Sequence, residues 1–395
     1  MPNTLLVLIV ATLPFAAQRD MERQIVSSWI ENVRHHEPGT IDGPLRDAAS
    51  QPAYTFDVVC RRLESALSAI KDVTERNDVR RRGALLHTDI AVLLPERAAA
   101  LSYKDLRVTL MAESRSQAKP TRRDAALVFS TDGEYLASGT EHAHWWMAGY
   151  LLRGIQPHAK EDPFVAAWNR AITAYFEWRK QYGSADHHLS SAFVVLPADP
   201  VLLFYAGALH EAYASAGIQS VPFTRPSSVR QVNVWSAPEE WHQAETYFRD
   251  SVKLGGPEEA RLRLARVRGQ LGNHADAASM LRDVMPKLRD PRLRYLGHLF
   301  LGTEEGALGR VDESRQSFER AARIEPTAQS PLLGLAEMYR RTGNLTAAQE
   351  TLRRVAALPE DPRRRQDPYL DYFRSFAFDA DEQLAAVRAM VKQSR

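Results

Sequence analysis

A glycine recurs along the second half of this chain with a spacing that limits what the chain can fold into. Gly272, Gly309 and Gly343 each sit in a short polar phrase (Leu271-Gly272-Asn273, Leu308-Gly309-Arg310, Thr342-Gly343-Asn344), the first two 37 residues apart and the last two 34. Five residues after each glycine stands a small residue, Ala277, Ser314 or Ala348, and nine after it a large apolar one, Leu281, Phe318 or Leu352. Pro326 closes the middle unit. Such a period marks stacked supersecondary units, each too small to bury its own apolar face without its neighbours.

Each unit reads as two antiparallel helices. In the middle unit the first helix carries Leu296, Leu299, Phe300 and Leu301, followed by Gly302, whose missing side chain lets the partner helix come close. Gly309 ends that helix, because only a residue tolerant of positive φ caps cheaply there. The second helix buries Phe318 and Ala321, and Pro326 blocks its continuation. Upstream the same spacing finds Gly183 and Gly217, again 34 apart. A Pro- and Ser-rich insertion near residues 218–238 then interrupts the period, and Ala244 and Phe248 resume it.

These residues resemble the tetratricopeptide repeat, whose pattern is W-x2-L-G-x2-Y…A-x3-F…P over about 34 residues. The matches are Leu301-Gly302 with Phe318, Ala321 and Pro326, then Leu335-Ala336 with Tyr339, Gly343, Ala348 and Leu352. The resemblance is strong over residues 257–359 and weaker over 163–256, where Phe176 and His210 take places the family gives to small residues. Glu305 stands where the family prefers Tyr. The resemblance implies an all-α, right-handed α-α superhelix, a solenoid with an N-terminal helical cap region. It also implies a non-catalytic scaffold that binds a protein or peptide on the concave face made by the first helices of successive units.

The expected organisation is a signal peptide over residues 1–18, a helical region over 19–162, divergent repeats over 163–256, and repeats with C-terminal capping helices over 257–395. The apolar run Leu5–Leu13, followed by Ala16 and Ala17, is too short to span a bilayer and reads as an export signal of a bacterial envelope protein, periplasmic or secreted; the alternatives are a retained anchor or the buried N-terminal helix of a cytoplasmic protein. No later segment approaches membrane-spanning length without charges, so no stable membrane span is expected after cleavage. Within 19–162, apolar spacing predicts one helix from Phe56 to Val73, a second over 83–94 stopped by Pro95, and a third over 142–155 stopped by Pro157. Residues 39–52 read as a loop. The phrase at 129–139 resembles one propeller-blade turn; a propeller needs several, so it is read as a local turn.

Composition narrows the function further. With 51 Lys+Arg against 49 Asp+Glu the net charge is +2, which argues against a dedicated nucleic-acid binder. A single cysteine, Cys60, excludes a disulfide framework and a cysteine-rich metal site, and leaves no lipidation site after the leader. The pairs His35-His36, His142 with His144, and His187-His188 do not share a helix face, so no metal site is expected. His210-Glu211 opens like a zincin motif, but Ala214 stands where the second histidine belongs. Ser68 and Lys71 match S-x-x-K without its companion motifs, no phosphate loop is present, and no cofactor is expected.

The candidate partner-binding residues are Arg261, Arg263, Arg266 and Arg268, a run on one first helix that would meet acidic groups on a partner or form a solvated face. The inward positions of successive first helices are Arg266, Thr303 and Glu337, which are not the Lys/Asn clamp some family members use on a peptide carboxylate. Trp235, in the insertion, either folds back or anchors a partner. Two rival readings are a hydrolase-type enzyme around His87, Asp89, His142 and His144, and an envelope-assembly factor recognising glycan or lipid.

Overall fold

In a computed structural model of the chain, the described residues are 30–31, 33, 56–100, 144–219, 234–359, 367–372 and 380–393. Among them every regular element is a helix. The leader, the loop at 39–52, the turn at 129–139, His142 and residues 220–233 of the insertion lie outside the described residues. The chain divides into two compact units, Met1–Val165 with Arg388–Arg395, and Ala166–Val387.

The first unit contains α1 (Phe56–Ala69), α2 (Val73–Ala100) and α3 (residues 144–153). The single helix expected from Phe56 to Val73 is broken at residues 70–72, where Asp72 accepts from the backbone N–H of Thr74 at 2.7 Å and starts α2. Nor does Pro95 stop the next helix: α2 runs on to Ala100. A proline removes one hydrogen bond from a helix interior, and a long helix held by its neighbours can absorb that loss. Residues 82–88 of α2 are all buried. A helix wrapped on every side shows no one-sided stripe, so its length was not legible from apolar spacing.

The second unit is a succession of antiparallel helix pairs. After α4 (Pro163–Trp178) and α5 (Tyr182–Val195) come α6 (Pro200–Tyr213) with α7 (Ala237–Lys253), α8 (Glu258–Gln270) with α9 (His274–Val284), α10 (Pro291–Ala307) with α11 (Val311–Ile324), and α12 (Ser330–Arg341) with α13 (Leu345–Ala356). Each second helix also packs on the next first helix, and the first helices touch one another, α6 with α8, α8 with α10, and α10 with α12. They therefore line one continuous wall of a solenoid. α14 (Ala380–Gln393) closes the described chain.

The local chemistry of these pairs repeats. Asp-Pro starts α6 and α10: Asp199 accepts from the N–H groups of Val201 and Leu202, Asp290 from that of Arg292, and the proline occupies a position whose N–H would be unbonded anyway. Gly272, Gly309 and Gly343 end first helices at φ of 86°, 74° and 78°, as the left-handed cap requires. At Gly302 an added Cβ would stand 2.9 Å from the Phe318 ring, so the close approach of α10 and α11 depends on the missing side chain.

Candidate functional site

The inner wall of the second unit is polar where a solenoid's inside is expected to meet a partner, and part of it is already filled. Arg263 of α8 is fully buried; its Nε donates to Glu259 Oε1 at 2.8 Å and its Nη1 to Glu211 Oε2, on α6, at 2.9 Å. Arg266, one helical turn on, pairs with Glu211 Oε1. Burial alone would lower the pKa of Arg263, but Glu259, Tyr372 and Glu211 more than restore it, so the guanidinium stays charged inside the protein.

Against this network lies a short segment from beyond the last helix pair. Asp367 and the 3-10 turn Pro368–Asp371, with Tyr372, rest on first helices of four successive pairs. Asp367 Oδ1 accepts from the Tyr295 hydroxyl of α10 at 2.6 Å, and Oδ2 from the backbone N–H and hydroxyl of Ser330 at 2.9 and 2.7 Å, at the start of α12. Burial, then the bond to Asp367, raises the pKa of Tyr295, so the phenol remains a donor. At the other end the Tyr372 hydroxyl donates to Glu211 Oε1 at 2.6 Å, and the Tyr372 carbonyl accepts from Arg263 Nη2 at 2.6 Å. The guanidinium carbons of Arg263 and Arg266 lie 4.3 and 4.7 Å from the centre of the Tyr372 ring, and Phe300 meets that ring edge-on at 5.2 Å.

Further along the wall a cleft of about 290 Å³ opens between α10, α11 and α12, lined by Thr303, Gly306, Val311, Glu337 and Arg341 among others. Thr303 and Glu337 are both exposed. Residues 332–366, from within the first turn of α12 through α13 and beyond, match the family profile described as tetratricopeptide repeat. The chain carries a tetratricopeptide repeat. Solved structures similar to it include a MamA fragment from Desulfovibrio magneticus RS-1 (18% identity over 51% of this chain and 97% of that one, TM-score 0.38). Another is YrrB, described as a tetratricopeptide-repeat protein with an unusual peptide-binding site (14%, 52% and 96%, TM-score 0.35). A third is PilF from Pseudomonas aeruginosa (12%, 59% and 94%, TM-score 0.39). No curated protein matches the sequence.

Along α8 the arginine run separates. Arg261 is exposed and Arg268 pairs with Glu245 at 3.2 Å, whereas Arg263 and Arg266 point into the network. At about 100° per residue, Arg261 and Arg268 fall about 20° apart on one side of the helix, and Arg263 and Arg266 about 60° apart on the other. The expectation of one arginine face toward a partner is therefore corrected: the four residues form two faces, and Arg263 is taken up inside the chain. Thr303 and Glu337 share the cleft, while Arg266 lies under Tyr372. The sequence offered Glu211 only in an incomplete zincin motif, and local spacing did not single out Tyr295, Ser330, Asp367 or Tyr372.

Glu305, where a tyrosine is preferred, is buried and pairs with Arg282 and with Arg310. Trp235 is half-exposed and its ring stacks on His210 at 6.1 Å, while its backbone N–H donates to Glu240 Oε1 at 2.7 Å. In the first unit, His87 and His144 do meet, with Nδ1 atoms 2.9 Å apart, but both rings are buried. Burial, then the neighbouring His144, holds the His87 pKa well below the ordinary value. Asp89 leaves from another face of α2 and pairs with Arg388 at 2.8 Å. These side chains do not converge on one pocket, so the hydrolase-type arrangement is not formed among the described residues. No group of three metal-binding side chains occurs among the described residues, and no helix among them is long and apolar enough to cross a membrane.

Proposed function

We propose that the chain is a non-catalytic scaffold that binds a protein or peptide segment along the inner wall of its tetratricopeptide-repeat solenoid. One observation carries this reading: first helices of four successive pairs converge, by hydrogen bonds and aromatic contacts, on the two ends of a six-residue stretch of chain, Asp367–Tyr372. A wall that holds one peptide stretch has the shape and donors to hold another. The open cleft at Thr303 and Glu337 extends the same wall.

The test is selection of displayed random peptides on the full chain, followed by affinity measurement against Thr303→Arg and Glu337→Arg. Both positions are exposed, so the fold should tolerate the changes. Loss of about tenfold or more in affinity is expected. Unchanged affinity for both variants would move the binding surface off the inner wall.

An envelope location is proposed on the apolar run Leu5–Leu13 and the small residues after it. N-terminal sequencing of the chain recovered from a bacterial periplasm should find it beginning near Arg19; an intact leader on a cytoplasmic protein would remove the proposal.

A further inference from the structure

The occupant of the inner wall joins the core at one end, where Tyr372 is fully buried beside Phe300, and over the rest of its length has the marks of a ligand. Only its two ends, Asp367 and Tyr372, are buried, and Tyr369, Leu370 and Asp371 between them are exposed. A stretch that served only to plug the wall would bury apolar side chains, yet Leu370 keeps 57% of its surface. Both anchors are instead recognised through directed polar groups. Asp367 accepts three hydrogen bonds from α10 and α12, and Tyr372 is read at its hydroxyl, at its carbonyl and at its ring, by the Arg263 and Arg266 guanidinium groups. The wall also carries a desolvated cluster of Arg263, Arg266, Glu211 and Glu259. Burying charges is a poor route to stability, since well-packed apolar residues do as well or better, and such clusters are best attested where they specify one arrangement.

Resting on the reading of the inner wall as a peptide site, we infer that Asp367–Tyr372 is a built-in occupant, and that the external partner is an acidic, aromatic peptide presenting Asp and Tyr five residues apart, with a second Tyr between. The segment and the partner compete for Tyr295 and Ser330 at one anchor and for Glu211, Arg263 and Arg266 at the other. A tethered ligand faces its site at an effective concentration on the order of millimolar, so a free peptide of the same sequence binds the parent weakly. Weakening the tethered copy opens the site.

The experiment titrates a labelled synthetic peptide of residues 366–373 (Gln-Asp-Pro-Tyr-Leu-Asp-Tyr-Phe) into the full chain and into the triple variant Asp367→Ala, Tyr369→Ala, Tyr372→Ala. Affinity for the variant is expected to exceed that for the parent by about tenfold or more. A peptide with Ala in place of its final Tyr should lose that gain. A folded triple variant that binds the peptide no better than the parent overturns the inference. If displayed peptides still bind that variant at the Thr303 and Glu337 cleft, the general reading of the wall survives; if they do not, both fall. Should the triple variant lose its helical circular dichroism, Tyr372→Phe in the full chain decides. It removes only the hydroxyl bond to Glu211, and a several-fold gain in peptide affinity is expected, with none counting against the inference.

Discussion

The Tyr372 hydroxyl donates to Glu211 Oε1 at 2.6 Å, joining residues 161 apart in the sequence. That one bond links the segment after the last helix pair to a helix before the insertion, and it sits on the carboxylate that also neutralises Arg263 and Arg266. Glu211→Ala would leave Arg266 without its carboxylate and Arg263 with Glu259 alone, in a site closed to water. Removing one partner of such a buried pair costs about 3–5 kcal/mol. Tyr372→Phe, which deletes a single hydrogen bond, should cost about 1 kcal/mol. Urea unfolding of both variants measures the two losses; a Glu211→Ala protein as stable as its parent would mean that the network does not form.

Glu177 sits near this network with neither carboxylate oxygen hydrogen-bonded. Burial raises its pKa well above the ordinary value, Arg263 opposes the rise and Glu259 adds to it. The folded state therefore keeps a proton that the unfolded chain releases above about pH 4.5. Glu177 thus favours folding least at high pH, and its cost grows by about 1.4 kcal/mol per pH unit above that point until the folded carboxyl itself ionises. Glu177→Gln removes the titration. Its stability relative to the parent, from urea midpoints between pH 4 and 8, should rise with pH; a constant difference would mean that Glu177 is solvated or paired.

Two glycines separate backbone strain from crowding. An added Cβ meets nothing within 4 Å at either Gly309 or Gly217, but only Gly309 has positive φ, at 74°. Gly309→Ala should then cost about 1–2 kcal/mol through the left-handed conformation alone. Gly217→Ala, inside a short helical turn, should be neutral or stabilising by about 0.5 kcal/mol. Thermal unfolding of the two variants checks the pair, and equal losses would refute the backbone explanation.

The repeat was legible in the sequence because caps and core slots impose residue types at fixed offsets, and the places where the reading slipped show what spacing alone omits. Gly183 and Gly217 carry the correct 34-residue interval but stand three residues late. The cap after α4 is Lys180, at φ 56°, and Gln181 N–H donates to Phe176 C=O at 2.9 Å as Arg310 does to Glu305 and Asn344 to Tyr339. In that frame Phe176 fills the slot of Tyr339, the small-residue slot holds Thr173, and Ala185 and Leu189 are the buried residues five and nine on. The same shift moves the small-residue slot from His210 to Gly207, where an added Cβ would meet Phe248 at 2.6 Å. Both apparent departures from the repeat pattern thus came from a frame set three residues late: Lys180 caps α4, and Ala214, at φ −69°, ends α6 without a left-handed residue. The network around Glu211 was illegible for another reason. Its members lie on separate elements far apart in sequence, and no local spacing records which charges a superhelix brings together.

The shifted frame makes its own prediction. Lys180 is the one non-glycine residue with positive φ among the described residues, and an L side chain there costs about 1–2 kcal/mol relative to a residue without Cβ. Lys180→Gly should therefore stabilise the protein by about 1 kcal/mol, less whatever the more flexible unfolded chain takes back. Gly183, exposed in the first turn of α5, is not under that constraint. Gly183→Ala should be neutral or slightly stabilising, because the helix conformation there suits alanine better than glycine. Were Gly183 the cap, the two outcomes would be reversed: Gly183→Ala would lose about 1 kcal/mol or more and Lys180→Gly would gain nothing. Urea midpoints of the two single variants decide between the frames.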